Sequence, residues 1–223
     1  MDPAQLTRLV APVLRGDADY AKGNRFFKLE SLRGMPRLRL FGNSLLSFMA
    51  KFSSGYWDIF DPTNGYTAIH GAALGQLPLE KISQGYFFES DLLFRLNTLQ
   101  AVVVDVPMDA RYGGEPSHLS IPRASGIFLA RHLANFGKRI FYSYYLRNFN
   151  IASLELVLGL LALAFGTSVG VYHWTMGTLR QTDASAGTVM LAALPVMIGV
   201  QLLIAFLGYD MRNTPRSPLN RRL

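Results

Sequence analysis

The sequence predicts an α/β domain, an amphipathic juxtamembrane helix and a hairpin of two transmembrane helices, in that order. Strand-like and helix-like segments alternate over residues 1–122. A basic stretch with an apolar stripe follows at 123–150. The hairpin region, 151–211, contains two long runs without a charged residue. A basic tail, 212–223, ends the chain.

Composition excludes several classes of site. The 223 residues include no cysteine, which excludes a disulfide scaffold, a thiolate zinc site and a cysteine nucleophile. The net charge is +7, and half of the residues are hydrophobic while only 17% are charged. That balance is unusual for a purely soluble domain and indicates contact with a membrane.

Local patterns predict each element of the α/β domain. Residues 101–106 are mostly β-branched and apolar and precede Pro107, which is typical of a buried strand. Three strands make a thin sheet, so the segment resembles part of a domain. We expect helices at 3–14, 38–52 and 89–99, and strands at 19–22, 66–69 and 101–106.

The stretch 123–150 has the pattern of a basic amphipathic helix. Arg131, Asn135 and Lys138 fall on the face opposite an apolar stripe, which favours a helix lying on an anionic membrane surface. The alternative is a surface helix packed on the α/β layer. A nucleic acid partner is not expected so close to a bilayer. The stripe consists of Leu129, Leu133, Phe136, Ile140 and Tyr144.

The two uncharged runs, 156–179 and 184–209, are each long enough to cross a bilayer, with spans expected at about 154–175 and 186–208. The alternative is a hairpin buried in a large soluble core. Basic residues lie before the first span and in the tail, whereas the connecting turn has one Arg and one Asp. This predicts a cell-membrane protein with two spans, whose N-terminal domain and C-terminal tail are both cytosolic.

Two segments carry residues suited to phosphate chemistry. Lys22 and Arg25 flank a glycine turn after the first strand, where backbone amides and cations could meet a phosphate. Arg111 lies in a loop after the strand 101–106, at the position where open α/β sheets place ligand loops. In both cases the alternative is a solvated basic turn.

A third segment carries two acids at the start of a helix. Glu89 and Asp91 are separated by two positions, so their side chains are expected to point in different directions. One would face a ligand and the other would cap the helix; the alternative is that both cap it. The four histidines show no metal-ligand spacing, and no Walker A, Gly-x-Gly-x-x-Gly or Gly-x-Ser-x-Gly segment is present.

Taken in order, these segments resemble the C-terminal half of a family 2 glycosyltransferase of the polyprenyl-phosphate (dolichol-phosphate mannosyltransferase-like) synthase group. The matching stretches are ADYAKGNRF, SSGYWDIFDPTNGYTAI, GYFFESDLLFRL and VVVDVPMDARYGGEPSHL, followed by the paired C-terminal spans. The resemblance implies a GT-A-type fold, here its C-terminal part. It also implies a hexosyltransferase that moves a sugar, with inversion, from GDP-mannose or a UDP-sugar to a polyprenyl or dolichyl phosphate.

The resemblance also implies roles for individual residues. Glu89 and Asp91 fall in the acidic motif at the acceptor side and are the expected catalytic residues. Arg25 and Arg111 match arginines that meet phosphate groups. The full substrate-binding set is expected to be Lys22, Arg25, Asn64, Arg111 and Ser117.

The chain departs from the family pattern at its start. Members of the family carry a nucleotide-binding half that ends in an acidic metal motif, and a divalent metal (Mg or Mn) is expected there. This sequence resembles only the part of the family that comes after that motif, so the metal ligands and the donor half are expected to be missing. We therefore expect no normal turnover from this polypeptide alone. The competing interpretation is a non-catalytic membrane remnant that binds lipid phosphate or a partner subunit; a homo-oligomer is left open.

Overall fold

The computed structural model describes residues 3–27, 37–62, 64–108 and 121–222. The chain forms two compact units: Met1–Tyr142 together with Thr214–Leu223, and Ser143–Asn213. We call them the α/β unit and the hairpin unit.

The α/β unit is built on a three-stranded mixed sheet of β1 (Tyr20–Asn24), β2 (Thr67–Ile69) and β3 (Val103–Pro107). The strand order is β2-β1-β3, with β1 antiparallel to β2 and parallel to β3. All five residues of the central strand β1 are buried. Each predicted strand is therefore present, shifted by one or two residues, and the sheet is as small as the sequence predicts.

Helices cover both sides of this sheet. The apolar residues of α1 (Leu6–Leu14) pack with Ala21 and Val106. A larger core joins Tyr20 to leucines of α4 (Phe88–Thr98). The remaining helices of the unit are α2 (Arg37–Ser54), the short α3 (Gly71–Gln76) and α5 (Ile121–Phe141). Helix α3 is absent from the helices expected from the sequence.

Helix α5 packs against α2 and α4 through polar side chains. His132 Nδ1 lies 2.7 Å from Ser53 Oγ, and Asn135 Nδ2 donates to Asp91 Oδ1 at 2.9 Å. Arg139 donates to the Phe52 carbonyl at 3.0 Å. Leu129 and Leu133, in contrast, are about half exposed. Asn135 is thus buried rather than on the outer face, because α2 and α4 offer polar partners there.

The hairpin unit consists of α6 (Ile151–Arg180) and α7 (Ala186–Arg212), both long and apolar enough to cross a membrane. Glycines set their close approach: a Cβ on Gly199 would lie 2.8 Å from the Gly159 carbonyl oxygen. A π-helical turn, Tyr142–Arg147, precedes α6, and Asn150 caps the N-terminus of α6. The observed helices extend a few residues beyond both predicted spans.

The C-terminal tail belongs to the α/β unit. Asp19, which is fully buried, accepts hydrogen bonds from the backbone N–H of Val102 (2.7 Å), Leu219 (2.8 Å) and Asn220 (3.0 Å). Leu219 packs against the larger core. The sequence predicts a basic tail but not this docking, since the hydrogen-bonded residues lie 200 positions apart.

Candidate functional site

Lys22 is the centre of the candidate site. It lies in the central strand β1 and is fully buried, and its ammonium donates to the backbone carbonyl of Asn64. Burial lowers the pKa of Lys22 to about 8, while the charges of Glu89, Asp61 and Asp105 act in the opposite direction. The side chain is therefore still mainly a cation at neutral pH. An ammonium has three N–H donors, and among the described residues only the Asn64 carbonyl accepts one.

Asn64 holds the turn that covers Lys22. Its amide donates to the Gly23 carbonyl at 2.7 Å, and its side-chain oxygen accepts from the Tyr66 N–H at 3.1 Å. A Cβ on Gly23 would lie 2.5 Å from the end of the Met108 side chain and 2.8 Å from the Asn64 amide, so a larger residue there would have to displace these two side chains. The Asn64 side chain thus bonds to the protein's own backbone, while the backbone carbonyl of Asn64 orients Lys22.

Arg25 is held by a buried carboxylate. Its guanidinium donates to both oxygens of Asp61, at 2.7 and 3.0 Å, in a bidentate pair. The backbone N–H of Arg25 also points to Asp61 Oδ2, at 3.3 Å. Asp61 is fully buried, whereas the Arg25 side chain is about 31% exposed. The pair fixes a cation at the rim of the site, directly after β1.

Asp105 is a site residue that the sequence analysis did not single out. Its Oδ2 accepts from Asn24 Nδ2 at 3.0 Å and from the Phe60 N–H at 2.7 Å, while its buried Oδ1 has no partner among the described residues. Burial raises the pKa of Asp105 to about 6. Asp105 lies opposite Lys22 in the register of β1 and β3. The sequence feature that could have indicated Asp105 is that it is a single acid in an otherwise apolar strand.

Glu89 and Asp91 point to different places, as their spacing predicts. The charge of Glu89 acts on Lys22, and its carboxylate oxygen lies 3.5 Å from the position that a Cβ on Gly65 would take. Asp91 is buried and accepts from the Ser83 N–H, Arg95 and Asn135. Glu89 therefore belongs to the Lys22 site, while Asp91 links α4 to α5.

The structure thus brings together Lys22, Arg25, Asn64 and Glu89, and it places Asp91 elsewhere. Arg111 and Ser117 lie outside the described residues. Met108 follows β3 directly, and its N–H donates to the Asn24 carbonyl at 3.0 Å. In the described ranges, no three His, Asp or Glu side chains converge as a metal site would require.

Comparison with known proteins does not place this chain in a family. No protein-family model matches the sequence, and neither the curated proteins nor the solved structures contain a match. The resemblance to family 2 glycosyltransferases is therefore a hypothesis that rests on the quoted segments.

Proposed function

We propose that this chain is a membrane-bound component of family 2-type sugar transfer, and that its Lys22 site receives the phosphate of a polyprenyl-phosphate acceptor. The observation that carries the proposal is the buried Lys22 ammonium, which has one acceptor among the described residues. A buried cation without a direct counter-ion is costly, and an anionic ligand would remove that cost. The charge of Arg25, which is paired with Asp61, also acts on Lys22.

The chemistry of the proposed reaction suits such a site. A phosphate oxygen of the lipid attacks the anomeric carbon of GDP-mannose or a UDP-sugar, the new C–O bond forms with inversion, and the bond to the nucleoside diphosphate breaks. The attacking phosphate is already anionic, so no strong base is needed. Positioning two anionic reactants and offsetting their charge are the main tasks, and fixed cations perform them. Glu89 favours the protonated form of Lys22.

The hairpin and two helices of the α/β unit support the membrane part of the proposal. Helices α6 and α7 could cross the bilayer. On α2, the side chains of Phe41, Leu45 and Phe48 are 49% to 69% exposed. The stacked pair Phe52 and Phe136, with ring centroids 4.1 Å apart, links α2 to α5. Neither α2 nor α5 contains an acidic residue, and both carry basic ones. An apolar and basic surface is suited to the headgroup region of an anionic leaflet.

Lipid-phosphate binding by the full chain in detergent tests this proposal. We expect a polyprenyl phosphate to bind and the corresponding polyprenol to bind at least tenfold more weakly. Lys22→Met should weaken phosphate binding at least tenfold, because it removes the buried charge at similar volume. Lys81→Met is the matched control, since Lys81 is exposed on a 3-10 turn, and it should change binding less than twofold.

A transfer assay separates the proposed function from its competitor. Equal affinity for the phosphate and the alcohol would contradict the Lys22 site. If the chain binds the lipid phosphate but membranes that contain it show no sugar transfer from GDP-mannose or UDP-sugars, the alternative of a non-catalytic lipid-phosphate-binding protein would be favoured. Transfer by the purified chain alone would contradict the expectation that a donor half is needed.

A further inference from the structure

The outer face of α7 carries residues at the spacing of a coiled-coil seam. Their separations alternate between four and three residues, so the mean period is 3.5, which is the period of helices that pack with a left-handed supercoil. Every member except Gly208 is exposed. The helix contacts α6 through another face, which includes Gly199 and Leu203. The seam consists of Met190, Leu194, Met197, Gln201, Ile204, Gly208 and Met211.

Gln201 lies in the middle of this seam and of the helix. At 1.5 Å per residue it is about 22 Å from the start of α7 at Ala186 and about 17 Å from its end at Arg212. Its exposed amide makes no hydrogen bond to any described residue. Thr175, in contrast, donates to the carbonyl of Val171 in its own helix. A primary amide facing hydrocarbon without a partner is unfavourable, so protein is expected to cover this face.

A second copy of the chain fits this face by its chemistry. A primary amide both donates and accepts, so two Gln201 side chains that meet across a two-fold axis satisfy each other. Beside Gln201, a groove of about 350 Å³ is lined by Val196, Met197, Val200 and Ile204. A flexible side chain such as Met197 of a second copy could fill a groove of this kind.

We propose that the α7 seam is the contact surface between two copies of this chain in the membrane, with Gln201 paired to Gln201. The inference rests on the proposed membrane placement of the hairpin but not on the Lys22 site. It predicts a parallel, two-fold pair of α7 helices, in which Met197 and Ile204 approach their own counterparts.

Disulfide trapping tests this surface directly, because the chain has no cysteine of its own. Met197→Cys and Ile198→Cys are neighbours on α7, both exposed, but only Met197 lies on the seam. In oxidised membranes of expressing cells, we expect Met197→Cys to give at least fivefold more linked dimer than Ile198→Cys. Adding Gln201→Leu to Met197→Cys should lower the dimer yield at least threefold. Ile204→Cys and Ala205→Cys repeat the comparison about two turns further along the helix.

Equal yields at the seam and beside it would overturn the inference, as would a yield that Gln201→Leu leaves unchanged. Linkage of the Met197→Cys protein to a different membrane protein would also overturn it. Alkaline carbonate extraction distinguishes a wrong contact surface from a wrong membrane placement of the hairpin. Variants that stay in the membrane without dimers contradict this surface alone, whereas variants released by carbonate contradict the membrane placement as well.

Discussion

At the scale of single residues, Asp19 connects the two ends of the α/β unit. Its buried carboxylate accepts three backbone N–H groups, from Val102, Leu219 and Asn220. Asp19→Ala would leave these donors without that acceptor, at about 1–3 kcal/mol for each buried group. We expect a loss of at least about 3 kcal/mol of unfolding free energy, seen as a lower melting temperature in detergent.

The neighbouring Asp17 provides the matched control. It pairs with Arg221 of the same tail at 3.0 Å, but both side chains are more than half exposed. Exposed ion pairs contribute about 0–1 kcal/mol, so Asp17→Ala should change the melting temperature little. Similar losses in both variants would mean that the tail, rather than the buried carboxylate, determines the stability.

Two buried groups make stability depend on pH in opposite directions. Burial raises the pKa of Asp105 from 3.8 to about 6, so between these values the folded state binds more protons and stability falls as pH rises. Burial lowers the pKa of His132 from 6.5 to about 4, so in that window the unfolded state binds more protons and stability rises with pH. In the native protein the two slopes largely cancel.

Removing one group should reveal the slope of the other. Relative to the native protein, we expect the melting temperature of Asp105→Asn to rise more steeply from about pH 4 to 6. That of His132→Gln should fall over the same range. Each slope is at most about 1.4 kcal/mol per pH unit. Melting curves of the three proteins in one detergent, measured at half-unit steps of pH, provide the test. Slopes that depart from the native slope in the same direction in both variants would contradict the prediction.

Residues of the candidate site could be predicted from the sequence mainly where they lie at strand ends or helix starts. Lys22, Arg25 and Glu89 were singled out because strand ends and helix starts are where ligands meet α/β folds. Asp105 was missed because its importance comes from the register of β3 with β1, which pairs it with Lys22. Such pairing between distant segments leaves no mark in a local pattern.

At the scale of elements, α5 buries polar side chains beside apolar ones: Asn135 is 5% exposed and Ile140 is 6% exposed, whereas Leu133 is 55% exposed. Asn135→Leu places an apolar residue at a buried position, as is usual for an amphipathic helix. It would nevertheless remove the amide that donates to the Asp91 carboxylate at 2.9 Å. We expect a loss of about 1–3 kcal/mol. Leu133→Asn, two positions away and 55% exposed, should change unfolding free energy by less than about 0.5 kcal/mol.

Thermal melts of both variants in the same detergent test this order. A larger loss for Leu133→Asn than for Asn135→Leu would show that the apolar face of α5 is the buried one. Spacing alone predicts that a helix has two faces, but it does not say which face is buried. That choice depends on the Ser53 hydroxyl, the Phe52 carbonyl and the Asp91 carboxylate, which other elements contribute.

At the scale of the whole molecule, the hairpin was the most predictable part. A helix that crosses a bilayer must be apolar for about 20 residues, and that requirement can be read from any single stretch of sequence. Docking of the tail could not be read in this way. It depends on a buried carboxylate 200 residues away, and nothing in the tail's basic composition indicates such a partner.

Tail docking leads to a prediction about topology. Because 214–223 and 1–142 form one compact unit, both must lie on the same side of any membrane that α6 and α7 cross. The turn that contains Asp183 must then lie on the opposite side. In the cysteine-free chain, Leu14→Cys and Arg216→Cys report on the α/β unit and Asp183→Cys on the turn, since all three positions are exposed.

A membrane-impermeant maleimide applied to intact and to permeabilised cells reads out the three positions. The tail carries Arg212, Arg216, Arg221 and Arg222, and basic flanks remain in the cytosol, so Leu14→Cys and Arg216→Cys should react only after permeabilisation. Asp183→Cys should react in intact cells. Labelling of Leu14→Cys and Arg216→Cys from different sides would show that the tail does not dock in the membrane-bound protein. Labelling of all three from one side would show that the hairpin does not cross the bilayer.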